Sequence, residues 1–407
     1  MKMTKRKALA FAVSSGFVVA PVASVAQPEV YGLIDIGLEN YNDDDGIGSE
    51  IFQGFNSVDG NSDNRDFTLS NGMTSRLGVR GQEDLGVGGL KASYNLEFAL
   101  DVLDGEGGNA SAGNLSTRLG WAAIGGDWGM VKVGTQWMSL FEFGGWNTHR
   151  TDTHGYGTYY YTTGELNNSL QFGFRQDSAI SYQYGSAWGH SDPFAFNVTL
   201  GIGEGSGESE ALTEEIITEQ GTRADIVTQA ATGVSNENGV TSFSVAAQYS
   251  FDKRISVNAV YIKEFNDYDP ADFNDPSEAD AFNREPELIN LGGRWSLTDA
   301  FELGLNYTLI DLDDADGTDR DSLAFGSFYT FNDQWDGHLG IANGSDDRDE
   351  DVVEAGRDID YNLYGFIKRH LSDRTNLRVE FERIDYDGEA VNNGEATIAM
   401  LALQHNF

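Results

Sequence analysis

The segment LKASYNLEFALD, residues 90–101, decides the fold class of this chain. Apolar side chains occupy every second position, at Leu90, Ala92, Tyr94, Leu96, Phe98 and Leu100, and polar side chains lie between them, at Lys91, Ser93, Asn95, Glu97 and Asp101. A period of two is typical of a β-strand whose two faces meet different surroundings. A strand of a soluble β-sandwich alternates in the same way, so the number of such segments and their connections must decide between the two folds.

Segments of this kind recur along the whole chain, and we predict sixteen strands. Sixteen is an even number, as found in the single-chain β-barrels of bacterial outer membranes. The predicted strands cover residues 30–41, 65–81, 90–101, 115–125, 129–137, 177–186, 193–203, 240–251, 254–265, 287–298, 301–312, 322–332, 336–345, 359–372, 375–386 and 396–407.

The predicted connections alternate between short and long. Those at 126–128, 252–253, 298–300, 333–335 and 372–374 have two or three residues, those at 82–89 and 187–192 are slightly longer, and the others are long. Short turns on one rim and long loops on the other are typical of a barrel that crosses the outer membrane, with the short turns in the periplasm. We therefore predict an all-β fold in which residues 27–407 form a single domain, a transmembrane antiparallel β-barrel.

The first 26 residues are predicted to be a cleaved signal peptide. Basic residues at positions 2, 5, 6 and 7 precede an apolar run from Ala8 to Ala20, and residues 24–26 form a small-x-small cleavage site. The alternative, a membrane anchor, needs roughly twenty apolar residues, and residues 14–16 interrupt a run that is already shorter. The prediction implies export from the cytoplasm.

The charge balance excludes nucleic acid as a partner. The formal net charge of −39 becomes −43 when the four positive charges of residues 1–26 are removed, and nucleic acid binds to surfaces rich in Lys and Arg. An acidic excess can also indicate disorder, but 12% aromatic and 40% hydrophobic residues favour a folded chain.

The long connections carry much of the acid, in residues 43–45, 267–285 and 346–358. Such runs are usually a solvated surface. Two functional alternatives are a negative outer vestibule that concentrates cations and a rim that binds divalent ions bridging lipopolysaccharide. Since no run has ligands spaced around a glycine turn, we predict no dedicated calcium site.

The sequence gives little support for an enzyme. The chain has no cysteine, which excludes a disulfide framework and a thiolate metal site, and its six histidines are scattered, with His149 and His154 five residues apart in one long loop. Neither a His-Glu-x-x-His motif nor a Gly-x-Ser-x-Gly nucleophile elbow is present. We expect no catalytic residues, no metal site and no cofactor.

Several segments resemble the general porins, the trimeric sixteen-stranded diffusion channels of Gram-negative outer membranes. They are Tyr31-Gly32, Ser75-Arg76-Leu77-Gly78-Val79-Arg80-Gly81, Glu83-Asp84-Leu85-Gly86, Gly89-Leu90-Lys91-Ala92, Thr117-Arg118-Leu119-Gly120-Trp121, Gly129-Met130-Val131-Lys132-Val133-Gly134, Glu142-Phe143-Gly144-Gly145 and the terminal Phe407. Their order and spacing extend over nearly the whole mature chain.

This resemblance implies a water-filled channel for small hydrophilic solutes and ions. It also implies a homotrimer in contact with the lipid bilayer and lipopolysaccharide of the outer membrane. In the family, a C-terminal phenylalanine is recognised by the machinery that inserts barrels, which makes Phe407 a predicted assembly signal. Without the resemblance, Phe407 is one more member of an interfacial aromatic girdle.

In the family, the third long loop folds into the barrel and narrows it, with loop carboxylates facing wall arginines. The counterpart here is roughly residues 138–176. Glu142 lies where the family's loop carboxylate lies, and Asp152 is a second candidate. Charge at a constriction selects ions because a permeating ion there has lost part of its bulk water. The alternative is that these are solvent-exposed loop acids.

Strand alternation places Arg76 and Arg80 on the lumen face, with Leu77 and Val79 toward lipid. The same reasoning places Arg118 in the lumen, with Leu119 and Trp121 toward lipid. An arginine on the lipid face at mid-depth would cost about 2 to 4 kcal/mol, which supports the lumen assignment. The alternative role for each arginine is a structural ion pair with a lumen acid such as Glu97.

The strand after the third loop departs from the family pattern. Ser181 and Gln183 occupy the lumen face where enterobacterial members carry a third wall arginine, and Arg175, just before the strand, is a candidate to compensate. Fewer wall cations and acidic loops lead us to expect cation preference. The alternative is a solute-specific channel, such as a sugar channel with residues 159–161 as an aromatic slide; a plugged structural barrel or adhesin is a third possibility.

Overall fold

A computed structural model of the chain describes residues 28–43, 65–71, 75–100, 102–103, 115–148, 175–188, 192–202, 213–217, 223–227, 239–265, 285–311, 319–346, 358–388 and 391–407. The predicted signal peptide, Asp152, residues 159–161 and most of the acidic loop residues lie outside these ranges.

The described residues are almost entirely in strands. These are β1 (Glu29–Asp43), β2 (Arg65–Asn71), β3 (Arg76–Asp84), β4 (Lys91–Leu100), β5 (Leu115–Gly126), β6 (Gly129–Trp137), β7 (Arg175–Tyr184), β8 (Phe194–Ile202), β9 (Thr213–Ile217), β10 (Arg223–Val227), β11 (Val240–Phe251), β12 (Ile255–Glu264), β13 (Glu287–Ser296), β14 (Phe301–Asp311), β15 (Asp319–Asn332), β16 (Trp335–Asp346), β17 (Asp358–His370), β18 (Thr375–Gly388) and β19 (Val391–Asn406). Among the described residues, no helix has the length and apolar character needed to span a membrane.

Sixteen strand positions close into one antiparallel barrel, which confirms the predicted fold. β1 pairs with β19 from Leu33 opposite Asn406 to Asp43 opposite Ala396, and β8 pairs with β11, so that the ring of neighbours is complete. β2 and β3 both pair with β1 and together form the second position. β9 and β10 pair with each other in a separate hairpin, which we had not predicted.

The second strand position differs from the prediction of one continuous strand over 65–81. β2 ends at Asn71 and β3 begins at Arg76. Next to the break, the backbone N–H of Asp35 donates to Ser75 Oγ (3.0 Å), and that hydroxyl donates in turn to the Asp35 carbonyl (3.4 Å). A serine side chain here takes the place of backbone partners, which is a known way for such residues to interrupt regular structure.

The two faces of the barrel follow the alternation that the sequence shows. On β13, Ile289 and Leu291 are exposed on the outer face, whereas Asn290 and Arg294 are buried on the inner face. This arrangement, with apolar residues outside and polar residues inside, is the reverse of that in a soluble protein. It arises because lipid surrounds the barrel and water or polar side chains fill it.

The C-terminus closes the barrel at the end that carries the short turns. Phe407 N donates to the Gly32 carbonyl (3.1 Å), and Gly32 N donates to the Phe407 carbonyl (3.0 Å). Phe407 is 42% exposed, as expected for an aromatic residue at a membrane interface. Its role as an assembly signal stays a prediction.

Candidate pore constriction

Residues 138–148, the described part of the third loop, lie inside the barrel. Leu140 and Phe143 belong to a buried cluster that includes the lumen-facing residues Ala195, Ala246, Val260, Ile262, Leu288 and Ile310 of β8 and β11–β14. Within this segment, Phe141–Gly145 form one π-helical turn. This path agrees with a loop that narrows the barrel; residues 149–174 lie outside the described ranges.

Asn147 ties the loop to the wall opposite its origin. Its side-chain amide donates to Asn258 Oδ1 on β12 (2.7 Å) and to Asn306 Oδ1 on β14 (2.9 Å). The Asn306 amide donates back to the Gly144 carbonyl (2.8 Å). All three asparagines are buried, and a buried amide without a hydrogen-bond partner is destabilising. These hydrogen bonds therefore hold the loop in place against the wall.

The next residue extends this attachment to β16 and β17. The Thr148 carbonyl accepts from the Tyr364 hydroxyl (3.1 Å) and lies 3.0 Å from His338 Nε2. Glycines let the loop backbone approach so closely. A Cβ at Gly304 would clash with the Asn147 carbonyl, and one at Gly326 would lie 2.8 Å from the Thr148 carbonyl oxygen.

On the wall where the third loop starts, Arg76, Glu97 and Arg118 form one buried cluster. Arg118 Nε donates to Glu97 Oε1 (2.8 Å), and Arg76 Nη1 lies 3.8 Å from the same oxygen. The Tyr31 hydroxyl donates to Glu97 Oε2 (3.0 Å). Both arginines therefore face the lumen. Both also form an ion pair with Glu97, which is the structural role that the sequence analysis gave as the alternative to lining the pore.

Arg118 faces the lumen as predicted, but simple alternation assigned the wrong faces to the residues that follow it. The pairing of β4 with β5 shifts between Glu97 and Phe98, which leaves Arg118 as the extra residue of a β-bulge. Beyond the bulge the faces are exchanged: Leu119 is opposite Glu97 and is buried, and Trp121 lies beneath Lys132 Nζ, 5.7 Å from its ring centre. Our placement of Leu119 and Trp121 toward lipid was wrong, because a bulge puts an additional residue on one strand.

Glu142 lies in the lumen and meets a lysine instead of the arginines. Its Oε1 is 3.8 Å from Lys132 Nζ on β6, and both side chains are about 6% exposed. Burial raises the pKa of the Glu142 carboxyl above its ordinary value, and the positive charge of Lys132 opposes that shift only in part. The loop carboxylate is therefore enclosed with one wall cation.

The other predicted site residues lie around these groups. Arg80 forms an ion pair with Glu29 (2.9 Å) toward the end of β3 and is partly exposed. The guanidinium of Arg175 lies 5.6 Å from the ring centre of Trp137. Ser181 donates to Gln136 Oε1 (2.5 Å) and is buried on the lumen face.

Gln183 follows on the same face of β7 as Ser181, nearer the short-turn end, and donates to the Gly185 carbonyl (3.4 Å). Asp152 lies outside the described residues.

A second buried charge cluster lies at the barrel seam. Arg378 on β18 contacts Asp35 Oδ2 on β1 (2.7 Å) and Glu380 Oε1 (2.6 Å), and all three side chains are fully buried. Gln404 on β19, which lies between the first strand and β18, donates to the same Asp35 oxygen (3.0 Å). Our site prediction omitted this cluster, although Arg378 lies between Leu377 and Val379 in the same alternation that revealed the other arginines.

Among the described residues, no group of three or more His, Cys, Asp or Glu side chains could hold a metal ion. Buried charges of both signs line the inner wall of β3–β6 and the seam, and residues 138–148 of the third loop lie beside them.

Comparison with known proteins agrees with this arrangement. A family profile described as Gram-negative porin matches residues 8–389. Outer membrane porin protein 32 of Delftia acidovorans is 46% identical over 65 residues, an alignment that covers 16% of this chain and 17% of that relative.

Solved porin structures share the fold at low sequence identity. The anion-selective porin of Comamonas acidovorans is 15% identical, with 94% of this chain and 100% of that one covered and a TM-score of 0.59. The trimer form of OmpT of Vibrio cholerae is 13% identical over 94% of this chain and 100% of its own, with a TM-score of 0.57. The chain thus belongs to the Gram-negative porin family, whose members are channel proteins of the outer membrane and not enzymes.

Proposed function

We propose that the protein is a general diffusion porin that lets small hydrophilic solutes and ions cross the outer membrane passively. The observation that carries this proposal is a barrel of sixteen strand positions with charged groups of both signs on its inner face and a loop held along part of the wall. Barrels with sixteen to eighteen strands leave an aqueous channel, whereas eight strands leave only enough room for side chains.

The packing of the loop aromatics supports a general channel over a sugar-specific one. Trp137 stacks on Phe141 with ring centres 4.3 Å apart, and Trp146 contacts Phe141 edge-on at 5.7 Å. These rings contact one another and the wall, whereas an aromatic slide needs ring faces that are open to solute. Residues 159–161, the slide considered from sequence, lie outside the described ranges.

We propose further that the channel prefers cations. In the two buried clusters and the Lys132–Glu142 pair, four cations are matched by four carboxylates: Arg76, Arg118, Lys132 and Arg378 with Glu97, Glu142, Asp35 and Glu380. Arg294, Arg320 and Glu382 are buried as well, so the buried charges of the described residues nearly cancel, at six cations to five carboxylates. The excess of acid elsewhere in a chain of net charge −39 therefore sets the field. The Comamonas porin is described as anion-selective. Because it is only 15% identical to this chain, the charged residues that set ion selectivity can differ between the two proteins.

A homotrimer embedded in lipid and lipopolysaccharide completes the proposal. The trimer form of OmpT of Vibrio cholerae supports it. So does the outer face of β4–β6, where the small residues Ala92 and Ala122 lie beside Ile124 and Val133, because small side chains allow close approach of a neighbouring subunit.

Current through the refolded protein in a planar bilayer with a tenfold potassium chloride gradient tests the channel and its preference together. We expect large ohmic steps with a reversal potential of cation sign. Glu142→Gln should lower the cation-to-anion permeability ratio about five-fold, since a unit charge about 8 Å from a permeating ion in water is worth roughly 0.5 kcal/mol, with opposite signs for a cation and an anion. Glu83→Gln, at an exposed carboxylate near the end of β3, is the matched control and should behave as wild type.

The cation-to-anion permeability ratio should decrease as the pH is lowered. Because burial raises the pKa of Glu142, its negative charge should be lost on acidification at a higher pH than that of an exposed glutamate, and cation preference should fall with it. Glu142→Gln should lack that change. An anion-signed reversal potential for the wild type would refute the cation preference, and an unchanged ratio in Glu142→Gln would show that the third loop does not hold the selective charge.

A further inference from the structure

The chain leaves β7 along a path that the barrel does not require. A short turn at the periplasmic rim would stay at the edge, but here residues 185–188 turn into the lumen. The Ala187 carbonyl accepts from Gln248 Nε2 (3.0 Å) and Arg294 Nη2 (3.2 Å), two buried side chains on the inner face of β11 and β13. Ala187 itself is buried among the residues that hold the third loop.

Local geometry fixes this inward path. Gly185 has φ of +67°, and a Cβ there would clash with the Phe194 carbonyl, so glycine is required at the point where the chain leaves β7. Ser186 N then donates to Asp192 Oδ2 (2.7 Å), and Trp188 N donates to Ser186 Oγ (3.2 Å). These bonds satisfy backbone groups within the turn and orient Trp188.

Trp188 meets the third loop from the periplasmic side. Its ring centre lies 6.0 Å from that of Phe141 and 5.8 Å from that of Trp146, both edge-on. Edge-to-face contact is a favoured geometry for aromatic rings. Phe141 is in turn stacked on Trp137 at the end of β6, so the π-helical turn that carries Glu142 is held between rings from above and from below.

We propose that Trp188 is a positioning residue of the constriction, and that residues 185–188 are a brace that supports the third loop from the periplasmic side and so keeps the channel beside it open. Asn147 and Thr148 fix the end of the described loop segment to β12–β17, whereas Trp188 supports its beginning, next to Glu142. Loss of the ring frees that end to move within the lumen. The proposal rests on the channel function proposed above.

Single-channel recordings of three variants test the brace. Trp188→Ala should raise the ratio of partly closed to open time by about five-fold or more, the change implied by loss of two ring contacts, and Trp188→Phe should restore most of the open state. Trp128→Ala is the matched control: Trp128 is also at a periplasmic turn, but it is 45% exposed and stacks on Tyr182, so we expect wild-type gating.

The outcomes separate this inference from the function on which it rests. A wild-type protein that conducts, with equal gating in Trp188→Ala and Trp128→Ala, overturns the brace and leaves the porin intact. A wild-type protein that does not conduct overturns the porin and the brace with it. If Trp188→Ala does not fold, Trp188→Leu against Trp128→Leu gives the same comparison with the apolar volume largely kept.

Discussion

Gly304→Ala should lower the single-channel conductance roughly two-fold, because protein interiors are packed too closely to absorb an extra methyl group against fixed backbone. Gly304 faces the lumen on β14, and an added Cβ would clash with the Asn147 carbonyl. Asn147 is held by hydrogen bonds to Asn258 and Asn306. The loop must therefore move off the wall and into the passage, which narrows it.

Conductance in symmetric salt measures this effect, and Gly120→Ala is the matched control. At Gly120 a Cβ would have one neighbour within 4 Å, Thr117 Cγ2 at an ordinary 3.7 Å, so the control should conduct as wild type. Gly326→Ala, which crowds the Thr148 carbonyl from the next strand, should resemble Gly304→Ala. Wild-type conductance in both lumen variants would mean that the loop is not held against this wall.

Arg378→Met should destabilise the folded barrel by about 3 to 5 kcal/mol, the usual cost of removing one partner from a buried ion pair. Asp35 and Glu380 would remain fully buried after losing the cation that contacts both. Because Asp35 is on the first strand and Arg378 is on β18, the substitution weakens the seam at which the barrel closes.

Denaturant unfolding in lipid vesicles, followed by tryptophan fluorescence, measures the change. Arg383→Met on the same strand is the control, since its ion pair with Glu395 is 44% and 36% exposed and exposed pairs contribute about 1 kcal/mol or less. Adding Asp35→Asn to Arg378→Met should recover part of the loss by removing one of the two carboxylates. Equal effects of the two arginine substitutions would show that the seam cluster contributes nothing special.

The strands could be predicted from the sequence because lipid and lumen impose opposite demands on alternate residues. This is why the bounds of β4, β6 and β11 agree with the predicted ones within one residue. The same alternation correctly placed Arg76 and, applied consistently, would have revealed Lys132 between Val131 and Val133. Lumen cations were therefore predictable in kind and in position.

The features that alternation could not supply are those that break it. The bulge at Arg118 exchanges the faces of Leu119 and Trp121, and nothing in the local sequence marks the extra residue. The partner of Glu142 could not be predicted either, because the path of a loop depends on distant glycines and asparagines such as Gly304 and Asn306. For the same reason, the contact of Trp188 with the third loop inside the barrel could not be predicted from its place in a short turn.

Swelling of liposomes that contain the purified protein shows whether the lumen is open to water and small solutes. In isotonic solutions of uncharged sugars of increasing size, we predict that the rate falls smoothly with solute size and stays proportional to concentration. Absence of swelling would mean that the lumen is closed, and swelling with a single solute at a rate that saturates would mean that the channel is specific for that solute.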